Sequence, residues 1–337
     1  MEIEYFKNER VSQSRLKKIH IHPYAYLNKG EYSELPNGKT IVGNAVDALL
    51  TMSNEEYLKL FQVAPAFTTV SGFYKVFIDN LFLSRNELSG ELIGLTEDEW
   101  VEGAFTKTKI ALKNKTFELQ EFYDRYMSGE GRNYYEYLIS TTVKETLTIE
   151  EDSKAREMVY AFKNNKYTGS YFTFNPDTTN VFQLEIFWEY NEVLMKSRLD
   201  ILSLNHKDKT IEVIDIKTTE YTSQFEFIFW KHRYDFQASA YLLAVQWLID
   251  NHSEFVEFKD YTILPFKWLV QGTKYPGTPV VYTCSEKTKG IGRDGGIKDN
   301  RHYCGFSSAV DKLKFHLLHD MWDYPMEVYL NEGNLEI

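Results

Sequence analysis

The spacing of apolar residues changes along the chain, from a helical pattern to strand-like runs, close to Thr173. Before this point, segments such as TIVGNAVDALLTM, TEDEWVEGAFTKTKIAL and DSKAREMVYAFKNN repeat apolar residues every three or four positions, which predicts helices. After it, VFQLEIFWEY, VLMKSRLDILSL and TIEVIDIKTT are rich in β-branched and aromatic residues, which predicts strands. The later segments YDFQASAYLLAVQWLID, DYTILPFKWLV, PVVYTC and SAVDKLKFHLLHDMW predict a long apolar helix, two more strands and a closing helix.

Local signals mark where the first helices begin and end. Ser12 and Ser14 are both N-cap candidates for a short helix. That helix should end before Pro23, because a proline disfavours helical backbone in the preceding residue. Ser53 and Glu56 form a capping-box pattern at the start of SNEEYLKLF, which predicts the beginning of another helix.

The chain contains no internal repeat and no linker that divides it cleanly, so we predict one domain over residues 1–337. Within it we expect N-terminal helices over 10–62, a mostly helical insertion over 66–170, and a sheet core with C-terminal elements over 180–337. The predicted fold class is α/β (α+β): a small mixed β-sheet with flanking helices and a helical N-terminal half.

Composition and charge restrict the class of protein. The chain has 43% hydrophobic and 26% charged residues, which is typical of globular proteins. No stretch approaches the roughly 18 apolar residues of a membrane span, and the first residues lack the apolar segment of a signal peptide. We therefore predict a cytoplasmic protein with no membrane partner. The net charge of −11 argues against a protein that coats nucleic acid, although it permits local contact with DNA.

One glycine-rich segment near the C-terminal end is strongly basic. Its basic residues are Lys287, Lys289, Arg293, Lys298 and Arg301. The stretch GIGRDGG within it lacks the strand and helix that flank a dinucleotide-binding loop, so we predict a flexible basic loop. Two interpretations of the charge stay open: a solvated surface loop, or contacts with a phosphate backbone.

The predicted strand TIEVIDIKTT contains Asp215 and Lys217, two positions apart on one face of an otherwise apolar run. The polar stretch NHKDK predicts a hairpin about Lys207, which brings Asp200 across from the neighbourhood of Asp215. Cross-strand neighbours lie about 5 Å apart, so these two carboxylates could share a divalent cation that relieves their repulsion. Oxygen ligands favour Mg²⁺ or Mn²⁺, and such an ion beside a lysine suits phosphodiester hydrolysis. The simpler alternative is a buried Asp215–Lys217 ion pair.

Other polar residues accompany this motif. Gln237 and Tyr241 lie four positions apart on the next predicted helix, where they share one face of an apolar segment. Glu185 lies on the strand before the hairpin, and Arg198 precedes Asp200 by two positions on the same strand face. The motif therefore has polar neighbours on three consecutive elements.

In this order, a strand acid, D-x-K on the next strand and Q-x-x-x-Y on the following helix, the residues resemble the PD-(D/E)XK nuclease superfamily and its RecB-like branch. The segments SQSRLKKIHIHPYAYL and VGNAVDALLTMSNEEYLKLF also resemble the opening of the phage exonuclease VIII (RecE-type) nucleases. Those nucleases carry a G-x-x-x-H motif whose histidine binds a metal. The matching positions here are Gly43 and Asp47, so this chain has an aspartate in place of the histidine.

The resemblance implies a restriction-endonuclease-like core and a role for each matched residue. Asp200, Asp215, Asp47 and the backbone carbonyl of Ile216 would bind Mg²⁺, or Mn²⁺ in its place. Lys217 would be the catalytic lysine, acting with Asp200 and Asp215.

Four further residues would act around that centre. Gln237 and Tyr241 would support the metal ligands or contact the DNA backbone, and Glu185 is a candidate for the same role. Arg198 is a candidate for a phosphate contact.

The resemblance also implies a function. The expected activity is a Mg²⁺-dependent exonuclease that resects linear double-stranded DNA from its ends, for recombination by single-strand annealing. A single-strand annealing protein would be its partner, and the enzyme would be a homo-oligomer. A phage or prophage origin in a bacterial host cell is expected on the same ground.

Two alternatives stay open. The first is a RecB-like nuclease that acts on single-stranded or flap DNA within a repair or defence complex. The second is a non-catalytic DNA-binding or assembly protein on a nuclease scaffold, which the aspartate at position 47 favours. Retention of Asp200, Asp215 and Lys217 argues against the second, because buried polar groups in a sheet are costly.

Overall fold

The computed structural model describes residues 5, 8–27, 38–66, 70, 72–88, 96–112, 118–127 and 129–335. Within these ranges the helices are α1 (Gln13–Leu16), α2 (Pro23–Leu27), α3 (Gly38–Thr51), α4 (Asn54–Leu60), α5 (Gly72–Leu88), α6 (Glu97–Leu112), α7 (Leu119–Met127), α8 (Glu130–Ser140), α9 (Ile149–Asn164), α10 (Phe225–His232), α11 (Tyr234–Asn251), α12 (Glu286–Asp294), α13 (Phe306–His319) and α14 (Met326–Leu330). The strands are β1 (Val11–Ser12), β2 (Phe61–Val63), β3 (Glu145–Leu147), β4 (Thr178–Tyr190), β5 (Val193–Asn205), β6 (Thr210–Thr219), β7 (Thr262–Ile263), β8 (Lys267–Gly272), β9 (Val280–Thr283), β10 (Gly296–Lys298) and β11 (Arg301–Tyr303).

The chain divides into two compact units, and the larger one comprises Met1–Ser53 and Ser153–Ile337. Its centre is a mixed sheet in which β4, β5 and β6 form successive antiparallel pairs. Strand β1 pairs in parallel with β5, β7 and β8 pair in parallel with β6, and β9 pairs antiparallel with β8. Helix α11 packs against this sheet through the buried side chains of Phe236, Ala240 and Ala244. This architecture confirms the predicted α/β class with a mixed sheet and flanking helices.

The β5–β6 hairpin forms in the predicted register. Backbone pairing runs from Asn205 opposite Thr210 to Ile201 opposite Ile214, so the turn is centred on the predicted NHKDK stretch. Lys209 in that turn has φ 51°, the left-handed conformation that reverses the chain. The register places Asp200 and Asp215 directly after the last bonded pair, Ile201 and Ile214, at the end of the ladder where the candidate site lies.

The chain near its start follows the capping signals. The backbone N–H of Arg15 donates to Ser12 Oγ at 3.3 Å, so Ser12 is the N-cap of α1. A 3₁₀ turn over Lys17–His20 continues α1, and a new helix then begins at Pro23. Proline is well tolerated at a first helical position, because its missing N–H would have no partner there.

The basic glycine-rich segment is not the predicted loop. Ser285 caps helix α12 by accepting a hydrogen bond from the Thr288 N–H at 3.2 Å, and the helix ends at Gly295, which has φ 88°. A Cβ added at Gly292 would lie 2.1 Å from the backbone oxygen of Asp235. Close packing against α11 therefore requires glycine here and outweighs the low helix propensity of glycine, which the sequence pattern alone could not indicate.

The smaller unit, Asn54–Asp152, is mostly helical in its described residues. Helices α5 to α8 enclose a core of Phe77, Ile78, Phe122, Tyr126 and Tyr135. Strands β2 and β3 form a short parallel pair at the two ends of this unit. Among the described residues of the whole chain, no helix is both long and apolar enough to cross a membrane.

Candidate active site

The central sheet forks beside Asp200. Strand β5 pairs with β6 from Asn205 back to Ile201. Nearer the start of β5, at Met195 and Lys196, its pairing partner is β1 instead. Between these two contacts the carboxylate of Asp200 accepts a hydrogen bond from the backbone N–H of Ile216 at 2.7 Å. A side-chain oxygen thus replaces a ladder acceptor, which leaves the ends of β5 and β6 apart and opens a space between them.

Helix α3 lies close to β6 because one of its residues is a glycine. A Cβ added at Gly43 would lie 2.6 Å from Thr218 Oγ1, a distance that real Cβ atoms essentially never show. Asp47 follows one helical turn later, so the glycine places its carboxylate beside the fork. The glycine of the G-x-x-x-D motif therefore has a steric cause.

A cavity of about 690 Å³ opens at the fork. Five residues identified in the sequence line it together: Asp47, Asp200, Ile216, Lys217 and Gln237. They come from α3, β5, β6 and α11, so four elements that are distant in sequence meet at one cavity.

Asp215 lies beneath these residues and is 2% exposed. Its Oδ2 is 2.5 Å from the Lys217 ammonium, and its Oδ1 accepts a hydrogen bond from Gln237 Nε2 at 2.8 Å. Tyr241, one turn further along α11, is also buried, and burial together with the charge of Asp215 raises its pKa above the usual range. Gln237 therefore holds Asp215 beside the cavity.

Three carboxyl groups, those of Asp47, Asp200 and Asp215, lie near Lys217. Burial, Asp47 and Asp215 hold the pKa of Asp200 well above its ordinary value. Burial, with a contribution from Asp215, raises the pKa of Asp47 to about 6, although Lys217 opposes this shift. Burial alone would lower the pKa of Lys217, but Asp215 and Asp200 raise it above its usual range. The lysine is therefore charged at neutral pH, and the surplus of carboxylates favours a further cation.

Gln183 is a site residue that the sequence reasoning missed. It lies opposite Asp200, at an interruption in the β4–β5 ladder, and has a φ of 50°. Its side-chain amide donates to Thr51 Oγ1 at 2.8 Å and to Asp47 Oδ2 at 3.3 Å. A positive φ at a non-glycine strand residue costs about 1–3 kcal/mol, and such strain concentrates at functional sites. The only sequence signal was a polar residue within the apolar run of β4.

Lys17 and Tyr234 are also cavity residues that the sequence did not single out. The Lys17 ammonium donates to the backbone oxygen of His232 at 2.9 Å. Burial lowers the pKa of Lys17 to about 8, and the nearby charges of Lys217 and Arg233 contribute to the shift. The Lys217 ammonium lies 5.0 Å from the centre of the Tyr234 ring. Lys17 reads as an ordinary surface lysine in SRLKK, so no local pattern could have identified it.

Four predicted residues lie outside the lining of this cavity: Asp215 and Tyr241, which are buried beside it, and Glu185 and Arg198. Glu185 and Arg198 are cross-strand partners in the β4–β5 ladder. The Arg198 guanidinium lies 5.7 Å from the centre of the Tyr5 ring, and its charge acts at longer range on Asp47. Neither residue is brought to the cavity with the acids.

The donor atoms at the fork suit a hard cation. Asp47, Asp200 and the Ile216 carbonyl offer only oxygen, which favours Mg²⁺ or Mn²⁺ over softer metals. In the part of the chain that the structure describes, no group of three or more His, Cys, Asp or Glu side chains is arranged to hold a metal ion. One reason is that both oxygens of Asp215 already face Gln237 and Lys217.

Comparison with known proteins adds little. No protein-family model matches the chain, and no curated protein matches it. Among solved structures, the chain is similar to a crystal structure of an Eubacterium rectale protein described as "Putative exonuclease". The match covers 81% of this chain and 96% of that one, at 9% identity and a TM-score of 0.32. A score this low carries no argument, so the interpretation of the site depends on its own geometry.

Proposed function

We propose that this protein is a metal-dependent nuclease that hydrolyses phosphodiester bonds in DNA. One observation carries the proposal: Asp47, Asp200, Ile216 and Lys217 line one cavity, with Asp215 bound to the lysine beneath it. Buried carboxylates that repel one another are costly unless a positive charge accompanies them. A phosphodiester-cleaving centre requires carboxylates to bind a cation and a lysine to contact the phosphate, whereas a purely structural ion pair requires only one acid and one base.

In this proposal Asp47, Asp200 and the Ile216 carbonyl would hold a divalent cation, and Asp215 would become a further ligand only if Lys217 or Gln237 released one of its oxygens. Such a cation, when bound, supplies charge neutralisation at the phosphate and lowers the pKa of a bound water. The residues of the chain supply position. Asp200 is oriented by the Ile216 N–H, and Asp47 is oriented by Gln183.

Lys217 would act on the scissile phosphate. Its ammonium is charged at neutral pH and is held in place by Asp215. A positioned ammonium donates hydrogen bonds to oxygens that gain negative charge in the transition state, and such electrostatic stabilisation is commonly the largest contribution to catalysis. Gln237 keeps the Asp215 carboxylate oriented, so it acts through Asp215 and not on the substrate.

The finer functional assignment follows the sequence resemblance alone. On that basis the enzyme would resect linear duplex DNA from its ends, use Mg²⁺, act as a homo-oligomer and supply single strands to an annealing protein. An acidic chain with a net charge of −11 would then need its contacts with DNA to be local, at the cavity and its approaches.

The test is digestion of end-labelled linear duplex, nicked circle, single-stranded and flap DNA in Mg²⁺, in Mn²⁺ and in EDTA. The wild type should degrade linear duplex in a metal-dependent way, Lys217→Ala should not, and the released label reports direction. Cleavage of single-stranded or flap DNA alone would favour the RecB-like alternative. Binding without cleavage in either metal would overturn the nuclease proposal and favour a non-catalytic scaffold.

A further inference from the structure

A second, larger depression of about 1000 Å³ adjoins the cavity at the fork. We call it the aromatic groove and define it by Phe227, Trp230, Lys231, Lys298, Arg301 and Tyr303, which all line it. Phe227 and Lys231 line the catalytic cavity as well. The groove and the cavity are therefore adjacent, with Phe227 and Lys231 between them, so a DNA strand that extends from the cavity on this side would pass over these residues into the groove.

One wall of the groove is a stripe along helix α10. Phe227, Trp230 and Lys231 are spaced by three and four positions, so they share one helical face. Phe227 is 71% exposed, which is unusual because large aromatic side chains are commonly buried in the core. Its ring therefore presents an open face at the junction of groove and cavity.

The opposite wall is the β10–β11 hairpin. Asp299 and Asn300 at its tip have φ of 49° and 59°, the pair of left-handed residues that a tight hairpin turn requires. Lys298 and Arg301 are directly paired across the two strands, so both project from one face of the hairpin. Two like charges in this position repel each other, and the Glu226 carboxylate, 3.0 Å from the Lys298 ammonium, offsets part of that repulsion.

The hairpin is attached to α10 and α11 by aromatic and polar contacts. The rings of Trp230 and Tyr303 lie 5.0 Å apart, and the Lys298 ammonium lies 4.8 Å from the centre of the Trp230 ring. Arg233 donates to the backbone oxygen of Cys304 at 2.7 Å. The two walls are therefore held at a defined separation.

The groove is locally positive in an acidic protein. Lys298 is paired with Glu226 at 3.0 Å and with Asp299 at 3.3 Å. Lys231 and Arg301, in contrast, form no ion pair with any residue in the described ranges. Two uncompensated cations thus flank an exposed aromatic ring, beside a cavity that we propose to cleave phosphodiesters.

We propose that the aromatic groove binds a single-stranded segment of the DNA whose phosphodiester occupies the cavity. The inference rests on the proposed nuclease function and deepens it by naming the form of the substrate. Aromatic faces can stack only on bases that are free of their own helical stack, while basic side chains follow the phosphates. In duplex DNA the bases are not available to Phe227, so the groove selects strands that are already single or have separated at an end.

The test is equilibrium binding of a fluorescent oligothymidylate of about 16 nucleotides, measured by anisotropy in EDTA so that no cleavage occurs. Phe227→Ala should weaken binding by about tenfold, the loss expected for one base-stacking contact, whereas Phe227→Tyr should retain it. Arg301→Gln should reduce the slope of log affinity against log salt by about one. A blunt duplex of the same length should respond little to Phe227→Ala.

Matched controls are available elsewhere on the surface. Of the described residues, Phe174 is 94% exposed and lines neither the groove nor the cavity. Phe174→Ala should therefore leave oligothymidylate binding unchanged. Lys259→Gln removes one exposed positive charge away from the groove and should leave the salt slope close to that of the wild type.

Each outcome separates the two proposals. Equal oligothymidylate affinity in wild type, Phe227→Ala and Arg301→Gln would overturn the groove assignment, and metal-dependent cleavage by the same preparation would leave the nuclease proposal intact. Equal losses for single strand and duplex would also overturn it, because stacking would not then explain the effect. Groove-dependent binding without cleavage in any metal would support the groove and overturn the nuclease.

Discussion

Two lysine–carboxylate pairs on the central sheet have opposite surroundings. Lys267 on β8 pairs with Glu212 on β6, and the Tyr171 hydroxyl joins both, at 3.2 Å from the ammonium and 2.9 Å from the carboxylate. Lys217 on β6 pairs with Asp215 at a similar lysine exposure, 20% against 23%. The first pair has one cation for one anion and a neutral partner, and it lies outside the lining of the cavity.

The second pair has extra acids. Asp200 and Asp47 lie near Lys217, and each has a raised pKa for which burial is the first cause. A balanced pair can serve stability alone, whereas like charges gathered around one lysine oppose folding and need another reason to persist. The contrast shows that additional carboxyl groups at a cavity, and not the ion pair itself, distinguish a candidate active site from a structural contact.

The largest expected effect comes from deleting each lysine in turn. Lys217→Ala should lower kcat by about 100- to 1,000-fold, because it removes a charge that acts on the transition state. Lys267→Ala is the matched control: it should retain nearly wild-type kcat and lose about 1–2 kcal/mol of unfolding free energy. Initial rates on labelled DNA and urea unfolding measure the two quantities. Equal loss of activity in both variants would remove the distinction between the pairs.

The next effect tests Asp47, the departure from the G-x-x-x-H pattern. Asp47→Ala should lose most activity, by about 100-fold, while Asp47→His should keep part of it and do so better in Mn²⁺ than in Mg²⁺. The reason is that imidazole is a better ligand for transition metals than for Mg²⁺. Rates measured across a metal titration would report this. Full activity in Asp47→Ala would show that Asp47 is no ligand.

A smaller effect concerns stability without metal. The pKa of Asp47 is about 6 in the folded protein, above its ordinary value of 3.8, so the folded state favours the protonated carboxyl. The contribution of this group to the free energy of unfolding is fully present below about pH 4 and is lost as the pH rises through about 6. Asp47→Asn should therefore gain about 2 kcal/mol relative to wild type between pH 4 and pH 7 in EDTA. Urea unfolding at a series of pH values measures this difference. A difference that does not change with pH would contradict the raised pKa.

The smallest expected effect is at Gln183, which contacts Asp47 and Thr51. Gln183→Ala should lower kcat by about tenfold through loss of orientation of Asp47. In the Asp47→Ala background the same substitution should cost little more, because the partner is already gone. A double-mutant cycle on kcat measures the coupling. Additive losses would show that Gln183 acts by another route.

Several features of the site were predictable from the sequence because they depend on short-range patterns. The period-two alternation and the NHKDK turn set the hairpin register that brings Asp200 and Asp215 to the same end of the β5–β6 ladder. The close approach of α3 to β6 at Gly43 was not predicted, because it depends on the packing of the helix on the sheet. The prediction of a flexible loop for the basic glycine-rich segment was wrong, because its helix and hairpin depend on packing against α10 and α11.

The sequence by itself determined the fold class and the hairpin register, because periodicity and turn chemistry are local properties. Only the tertiary structure decided that Lys17 lines the cavity with Asp47, Asp200 and Lys217, and that Gln183 contacts Asp47. It also decided that Glu185 and Arg198 lie outside the cavity, and that Phe227 and Arg301 line the adjacent groove. The contacts of Lys17 and Gln183 join segments more than 100 residues apart, which no window of sequence contains.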